Sequence, residues 1–158
     1  LAGKNDPPPL MLVLFDPARS ADPPQNSGKT AAIRSNSRCK SPAYLEANSS
    51  AFGMYANDVL VNARAFAEQL TANGFECLTG GTDSHIILLD LTNRGMSGKS
   101  AANLLEMNGI TVNKNGIPND PRSFIETSGI RLGTAAETTK GHNAEWFRNL
   151  ADKIAEII

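Results

Sequence analysis

The stretch ANDVLVNARAFAEQLTANGFECLTGGTDSHIILLDL, residues 56–91, carries the clearest secondary-structure pattern in the chain. Apolar residues recur at helical spacing from Val59 to Leu70, and Asn73-Gly74 supplies a left-handed stop, which predicts an amphipathic helix over 55–73. The segments FECLT and IILLDL predict two strands joined by the turn GGTDSH, the second strand buried on both faces.

Similar signals continue downstream of this stretch. Ser97 is placed to cap a short helix that ends at Asn108-Gly109, while ITV at 110–112 and SGIRL at 128–132 predict two further strands. A final helix is predicted from His142-Asn143 onward, with one apolar face made of Trp146, Phe147, Leu150, Ile154 and Ile157. Helices that alternate with a few short strands indicate an α/β fold, here an α+β two-layer domain.

The N-terminal third has a different composition. Seven of the nine prolines lie in the first 42 residues, next to a run of Ser, Asn and Arg. Such a segment supports little regular structure beyond a strand at 10–15. We therefore predict an irregular, unassigned segment over 1–54 and a folded domain over 55–158.

Length and charge restrict the classes of partner. The 158 residues suffice for one domain, and 15 basic against 16 acidic residues give a net charge of −1. This balance predicts small-molecule or protein partners, with no nucleic acid and no membrane. Cys39 and Cys77 form no metal spacing, which fits a reducing cytosol, and the apolar run at 10–15 is too short to span a bilayer. We expect a soluble, cytoplasmic protein without a metal site.

Two Gly-Lys motifs are similar to the end of a phosphate-binding loop. They are NSGKT at 26–30 and SGKS at 97–100, and the position five residues before each Gly-Lys pair holds Pro23 or Asn93 instead of glycine. Because the phosphate cradle is built by that glycine-rich backbone, neither motif is predicted to bind a nucleotide.

The two histidines are weaker candidates for chemistry. His85 lies beside Asp83 at the start of a predicted strand and could be a general base or a ligand. With no second histidine at ligand spacing, a turn histidine whose ring binds nearby backbone is favoured. His142 precedes the last helix and is predicted to be solvated.

Residues 113–134, NKNGIPNDPRSFIETSGIRLGT, are rich in groups that bind ligands. Asn115-Gly116 favours a tight turn, and Pro118 and Pro121 restrict the backbone that follows. A rigid loop of this kind can present the Asn115 amide as a fixed donor and acceptor.

Arg131 lies in a strand-like apolar run between Gly129 and Gly133, which leave room for another group to approach. A guanidinium removed from water needs an anion. Two interpretations stay open: an internal ion pair with Glu126 or Asp90, or a bidentate contact with a ligand carboxylate.

The blocks GGTDSH, GITVNKN, IPNDPRS and TSGIRLGT occur in an order and spacing that resemble the C-terminal portion of serine hydroxymethyltransferases, over residues 56–158. The resemblance implies the aspartate-aminotransferase-like fold of pyridoxal-phosphate enzymes and the conversion of serine and tetrahydrofolate to glycine and 5,10-methylenetetrahydrofolate. By this resemblance, Arg131 binds the substrate carboxylate, and Asn115 and the segment Ser123, Phe124 and Ile125 contact the folate. Family members usually carry Ser-Pro-Phe in that segment, so this chain departs from the pattern there.

The resemblance also implies groups that this sequence lacks. The family's cofactor lysine lies in a Thr-His-Lys setting upstream of the matched region, and Lys4, Lys29 and Lys40 do not occur in that setting. We therefore expect no catalytic residue in this chain and no activity from the 158 residues alone. The resemblance also implies an obligate dimer, which predicts a homo-oligomer for the full-length form.

Two other interpretations remain. The chain could be a non-catalytic binding or assembly module that kept the fold. It could also be the small domain of an aminotransferase, in which an arginine again binds the substrate carboxylate, although the NKN and NDP blocks argue against that family.

Overall fold

The computed structural model describes residues 43–158. Residues 43–57 belong to one compact unit and Asp58–Ile158 to another. The main elements are α1 (Ser50–Ala72), β1 (Glu76–Cys77), β2 (Ile86–Asp90), α2 (Gly98–Met107), β3 (Asn113–Asn115), β4 (Gly129–Gly133), α3 (Ala135–Thr139) and α4 (Ala144–Ile157).

The four strands form one antiparallel sheet in the order β1-β2-β4-β3. Strand β4 is central, so its middle residue Arg131 pairs with Leu88 of β2 on one side and Asn113 of β3 on the other. The strand that carries Arg131 is therefore fixed by hydrogen bonds along both edges.

One face of the sheet belongs to the core. Its fully buried residues Ile87, Leu89, Ile130 and Leu132 join one hydrophobic cluster with apolar residues of α1, α2 and α4. Within that cluster Phe66 of α1 meets Phe147 of α4 with ring centroids 5.5 Å apart. The helices and the sheet thus form two layers, which confirms the predicted α+β architecture.

The helix predicted over 55–73 begins earlier in the structure than in the prediction. Helix α1 begins at Ser50, and the Phe52 amide donates to the Ser49 hydroxyl at 3.1 Å, which caps the helix. Its end is as predicted, because Gly74 takes a φ of 83°.

Strand β2 is not buried on both faces, contrary to the prediction. Its burial alternates, with Ile87 and Leu89 buried and Ile86, Leu88 and Asp90 half-buried. A continuous apolar run is typical of a parallel strand covered by helices on both sides, but this sheet is antiparallel and packs its helices on one face.

The strand predicted at 110–112 is also wrong. Ile110 and Val112 are buried but belong to no strand, and strand β3 begins at Asn113. The Ile110 amide donates to the Leu105 carbonyl at 2.9 Å, so this stretch closes helix α2 before the chain reaches the sheet.

The remaining elements follow the sequence with two adjustments. The strand from FECLT is only two residues long because Thr79 has a φ of 67° and turns the chain. Helix α3 was not predicted at all. The predicted strand at 10–15, the NSGKT motif and Lys4, Lys29 and Lys40 lie outside the described residues.

No helix between residues 43 and 158 combines the length and apolar character needed to cross a membrane.

Candidate functional site

The register of β3 on β4 brings two predicted site residues to the same face of the sheet. Asn113 pairs with Arg131, and Asn115 pairs with Gly129. Paired residues, and residues two apart along a strand, point to the same side, so Arg131 and Asn115 share the face opposite the core. Both side chains are half-buried.

Arg131 has no ion-pair partner among residues 43–158. Its Nε is buried and makes no hydrogen bond to any described residue. Such a buried donor is costly to leave unpaired.

Both carboxylates considered as internal partners are engaged elsewhere. Glu126 lies 3.0 Å from the Lys99 ammonium, whose hydrogen bond lowers the pKa of that carboxyl. Asp90 accepts from the Thr92 amide at 2.7 Å and from its hydroxyl at 2.5 Å. The interpretation of Arg131 as half of an ion pair with Glu126 or Asp90 therefore finds no support in the structure.

Gly129 does not leave open space beside Arg131, contrary to the prediction. A Cβ there would lie 2.7 Å from the Leu89 carbonyl oxygen, 2.8 Å from Ile117 Cγ2 and 3.1 Å from the Asn115 carbonyl oxygen. The glycine instead allows the loop after β3 to pack directly on β4.

The Asn115 side chain is oriented by its neighbour. Its Nδ2 donates to the Gly116 carbonyl at 2.7 Å, and its Oδ1 accepts no hydrogen bond from the described residues. An acceptor held in this way is available to a donor on a ligand.

Asp120 organises the loop that joins β3 to β4. Its carboxylate accepts from the amides of Ile117, Arg122 and Ser128 at 3.2, 2.9 and 2.9 Å, and from the Ser128 hydroxyl at 2.6 Å. These bonds, that of the Ser128 hydroxyl above all, lower the pKa of Asp120 to about 2. The carboxylate is therefore ionised at neutral pH. Sequence reasoning missed this residue.

Arg122 extends the same network. Its Nη1 donates to the Met96 carbonyl at 2.8 Å and to the Ser128 hydroxyl at 3.2 Å. The loop is thus attached to the segment before α2 as well as to itself.

The tip of the loop holds the predicted folate segment. The Ser123 carbonyl accepts from the amides of Glu126 and Thr127 at 3.0 and 2.9 Å, which closes a turn. Phe124 is 92 % exposed and Ile125 65 % exposed, so both side chains project from the protein. The Ile125 carbonyl accepts from the Lys114 ammonium at 2.5 Å, which attaches the tip to β3.

The SGKS motif has a structural role. The Ser97 hydroxyl accepts from the Ser100 amide and caps α2. A Cβ on Gly98 would overlap the Gly129 carbonyl oxygen, so the glycine serves close packing between α2 and β4. His85 has an exposed side chain, and its carbonyl, rather than its ring, binds backbone by accepting from the Thr134 amide at 3.1 Å.

His142 is not simply solvated, contrary to the prediction. Its ring stacks on Trp146 with centroids 4.0 Å apart, and its Nε2 lies 3.4 Å from Glu137 Oε2. Glu137 is only 1 % exposed and also contacts the Lys140 ammonium at 2.7 Å. No sequence pattern signalled this cluster, because Glu137 lies in the short helix that was not predicted.

The described lysines do not fit a pyridoxal-phosphate site. The ammonium groups of Lys99, Lys114 and Lys140 contact Glu126, the Ile125 carbonyl and Glu137, respectively, and Lys153 lies on α4. Lys114 is the one lysine on the described strands, and because it pairs with Ile130 it points to the opposite side of the sheet from Arg131. No group of three metal-ligating side chains occurs in the part of the chain described, residues 43–158.

Comparison with known proteins finds the same family that the sequence motifs resemble. The family model described as serine hydroxymethyltransferase matches residues 33–154. This match begins upstream of residue 56, where the resemblance described from the sequence begins. Curated serine hydroxymethyltransferases are similar over 119 residues, or 75 % of this chain. They are 46 % identical in Wolbachia sp. subsp. Drosophila simulans, 44 % in Afipia carboxidovorans and 47 % in Phenylobacterium zucineum. The match covers 28 % of the length of each relative. The chain belongs to the serine hydroxymethyltransferase family.

Proposed function

We propose that this chain forms the C-terminal domain of an enzyme that converts serine and tetrahydrofolate to glycine and 5,10-methylenetetrahydrofolate. Its part is to bind the carboxylate of the amino acid and to form one side of the folate pocket. The observation that carries this proposal is the unpartnered, buried Nε of Arg131 on the same sheet face as Asn115.

Arg131 is the proposed carboxylate ligand. A guanidinium offers two parallel N–H donors that match the two oxygens of a carboxylate, and the contact would satisfy the buried Nε. The hydrogen-bond ladders on both edges of β4 hold the backbone of this residue in place, so the clamp would be preorganised. Serine and glycine both present the required α-carboxylate.

The loop between β3 and β4 is proposed to form one side of the folate pocket. Asn115 offers its free Oδ1 to a donor of the pterin ring, and Ser123, Phe124 and Ile125 lie at the exposed tip. Phe124 and Ile125 form an apolar surface that a flat ring would remove from water. We infer that these four residues contact tetrahydrofolate.

Catalysis requires groups beyond the described residues. Pyridoxal phosphate, when bound, stabilises the electron pair released at the substrate α-carbon. Because Lys99, Lys114 and Lys140 contact other groups and this chain matches only 28 % of the length of its relatives, we infer that the isolated 158 residues bind substrate groups but do not turn over serine. The full-length form is proposed to be a cytoplasmic homodimer.

The carboxylate assignment can be tested by titrating the ¹⁵N-labelled chain with glycine while following the backbone amide resonances of β4, which every variant retains. We expect a saturable shift for the unsubstituted chain. Arg131→Lys should weaken binding by about tenfold or more, because a lysine cannot make the planar two-point contact. Arg148→Lys, at an exposed position of α4, is the matched control and should bind glycine normally. Unchanged glycine affinity in Arg131→Lys would contradict the assignment.

A second candidate function is a non-catalytic binding or assembly module. Such a module needs no cofactor lysine. Among residues 43–158, the ammonium groups of Lys99, Lys114 and Lys140 all contact other groups, which fits this candidate. The mass of the native protein separates the two candidates, because an enzyme needs a longer product that carries the cofactor lysine.

A further inference from the structure

Asp120 joins the two ends of the loop that separates Asn115 from Arg131. The loop runs from Gly116 to Ser128, between the paired residues Asn115 and Gly129. At its start the Asp120 carboxylate accepts from the Ile117 amide, and at its end it accepts from both the amide and the hydroxyl of Ser128.

These contacts lie close to both proposed ligand-binding groups. Ile117 is two residues from Asn115, and Ser128 is three residues from Arg131. A single carboxylate therefore connects the backbone near the proposed folate contact to the backbone near the proposed carboxylate clamp.

The local backbone needs this support. Asn119, directly before Asp120, has a φ of 55°, and Thr127 has a φ of 53°. Asparagine adopts this conformation readily, but a β-branched residue such as Thr127 keeps it only when its surroundings hold it there. The charged carboxylate provides stronger hydrogen bonds to the Ile117 and Ser128 amides than a neutral acceptor would.

We propose that Asp120 is a positioning residue that fixes Asn115 relative to Arg131 and so sets the affinity for tetrahydrofolate. This inference rests on the proposed function of the two residues. Arg131 depends less on Asp120, because its strand is paired on both edges, whereas Asn115 ends the edge strand β3.

The test compares Asp120→Asn with Asp152→Asn in the 158-residue chain. Both substitutions replace a surface carboxylate that accepts several hydrogen bonds, since Asp152 accepts from Gln69 Nε2 at 2.7 Å and Asn73 Nδ2 at 2.8 Å. Asp120→Asn should weaken tetrahydrofolate binding by about tenfold and glycine binding by less than twofold. Asp152→Asn should change neither. Equal weakening of both ligands by Asp120→Asn, or unchanged folate affinity, would overturn the proposal.

A ligand-free measurement makes the result independent of the proposed function. Asp120→Asn should speed amide hydrogen exchange at Ile117 and Ser128 and shift the Asn115 side-chain amide, while the Asn62 side-chain amide, which donates to Thr138 and His142, stays unchanged. If the unsubstituted chain binds no tetrahydrofolate, the folate assignment fails. The exchange rates then test by themselves whether Asp120 positions the loop. Unchanged rates would then refute the positioning role of Asp120, and faster rates confined to the loop would support it.

Discussion

The Lys99 ammonium lies 3.0 Å from the Glu126 carboxylate, one of the two groups that the sequence offered as a partner for Arg131. Lys99 belongs to α2 and Glu126 to the loop before β4, so the pair also ties that loop to the helix. Because Lys99 occupies this carboxylate, the proposed clamp remains free for a ligand.

The pair predicts a pH effect. The hydrogen bond from Lys99 lowers the pKa of Glu126 below its ordinary 4.5, so it contributes stability above that pH and loses it as the pH falls through the lowered folded-state value. In Lys99→Met the pKa of Glu126 should rise toward 4.5, and less stability should be lost on acidification. An NMR titration of the Glu126 carboxyl checks this; Lys153→Met, on α4, is the control. An unchanged titration in Lys99→Met would contradict the pairing.

Gly129→Ala should destabilise the sheet by about 1–3 kcal/mol, because the added methyl overlaps the Leu89 carbonyl and the Ile117 side chain. The unfolding transition can be followed by the fluorescence of Trp146, the single tryptophan. Gly53→Ala in α1 is the matched control, since a Cβ there meets nothing within 4 Å. That control should leave the transition unchanged or raise it; an equal loss in both variants would argue against the close packing of β4.

Asn62→Ala should also lower the free energy of unfolding. Asn62 is 4 % exposed and donates to the Thr138 hydroxyl at 2.9 Å and the His142 carbonyl at 3.0 Å, so it joins α1 to the turn before α4. Leaving those acceptors without a donor costs about 1–3 kcal/mol. Asn149→Ala, at an exposed position of α4, should cost far less in the same denaturant titration. An equal loss in the free energy of unfolding in both variants would contradict a stabilising role for the Asn62 hydrogen bonds.

Pyridoxal phosphate should not form a stoichiometric lysine adduct with the 158-residue chain. Lys99, Lys114 and Lys140 contact other groups, Lys114 points to the opposite side of the sheet from Arg131, and Lys153 is an exposed residue of α4. The measurement is borohydride reduction followed by mass spectrometry of tryptic peptides, with free lysine as the control for nonspecific trapping. One lysine modified to completion would identify a cofactor site in this chain and overturn the expectation of inactivity.

The parts of the fold that depend on local chemistry could be predicted from the sequence. Ser97 and Asn108-Gly109 delimit α2 as expected, since a cap and a left-handed stop act on their own turn of helix. The strand at 110–112 was misplaced because β-pairing is decided by the partner strand, and Arg131 pairs with Asn113 rather than with an apolar residue.

The candidate site was predictable to a similar extent. The sequence singled out Arg131 and Asn115 as separate candidates, but their shared face follows from the β3–β4 register, which no local pattern specifies. Asp120 was missed because its four hydrogen bonds exist only after the loop has closed on Ser128.

The pairing of Asn113 with Arg131 also determines the charge of the sheet face proposed to meet the ligands. Along β3 the side chains alternate, so Asn113 and Asn115 share a face with Arg131 while Lys114 points the other way. A slip of one residue would turn Lys114 toward Arg131 and both asparagines away. An incoming carboxylate would then meet two cations instead of one cation flanked by amides, and the neutral hydrogen-bonding surface proposed for a pterin would be gone.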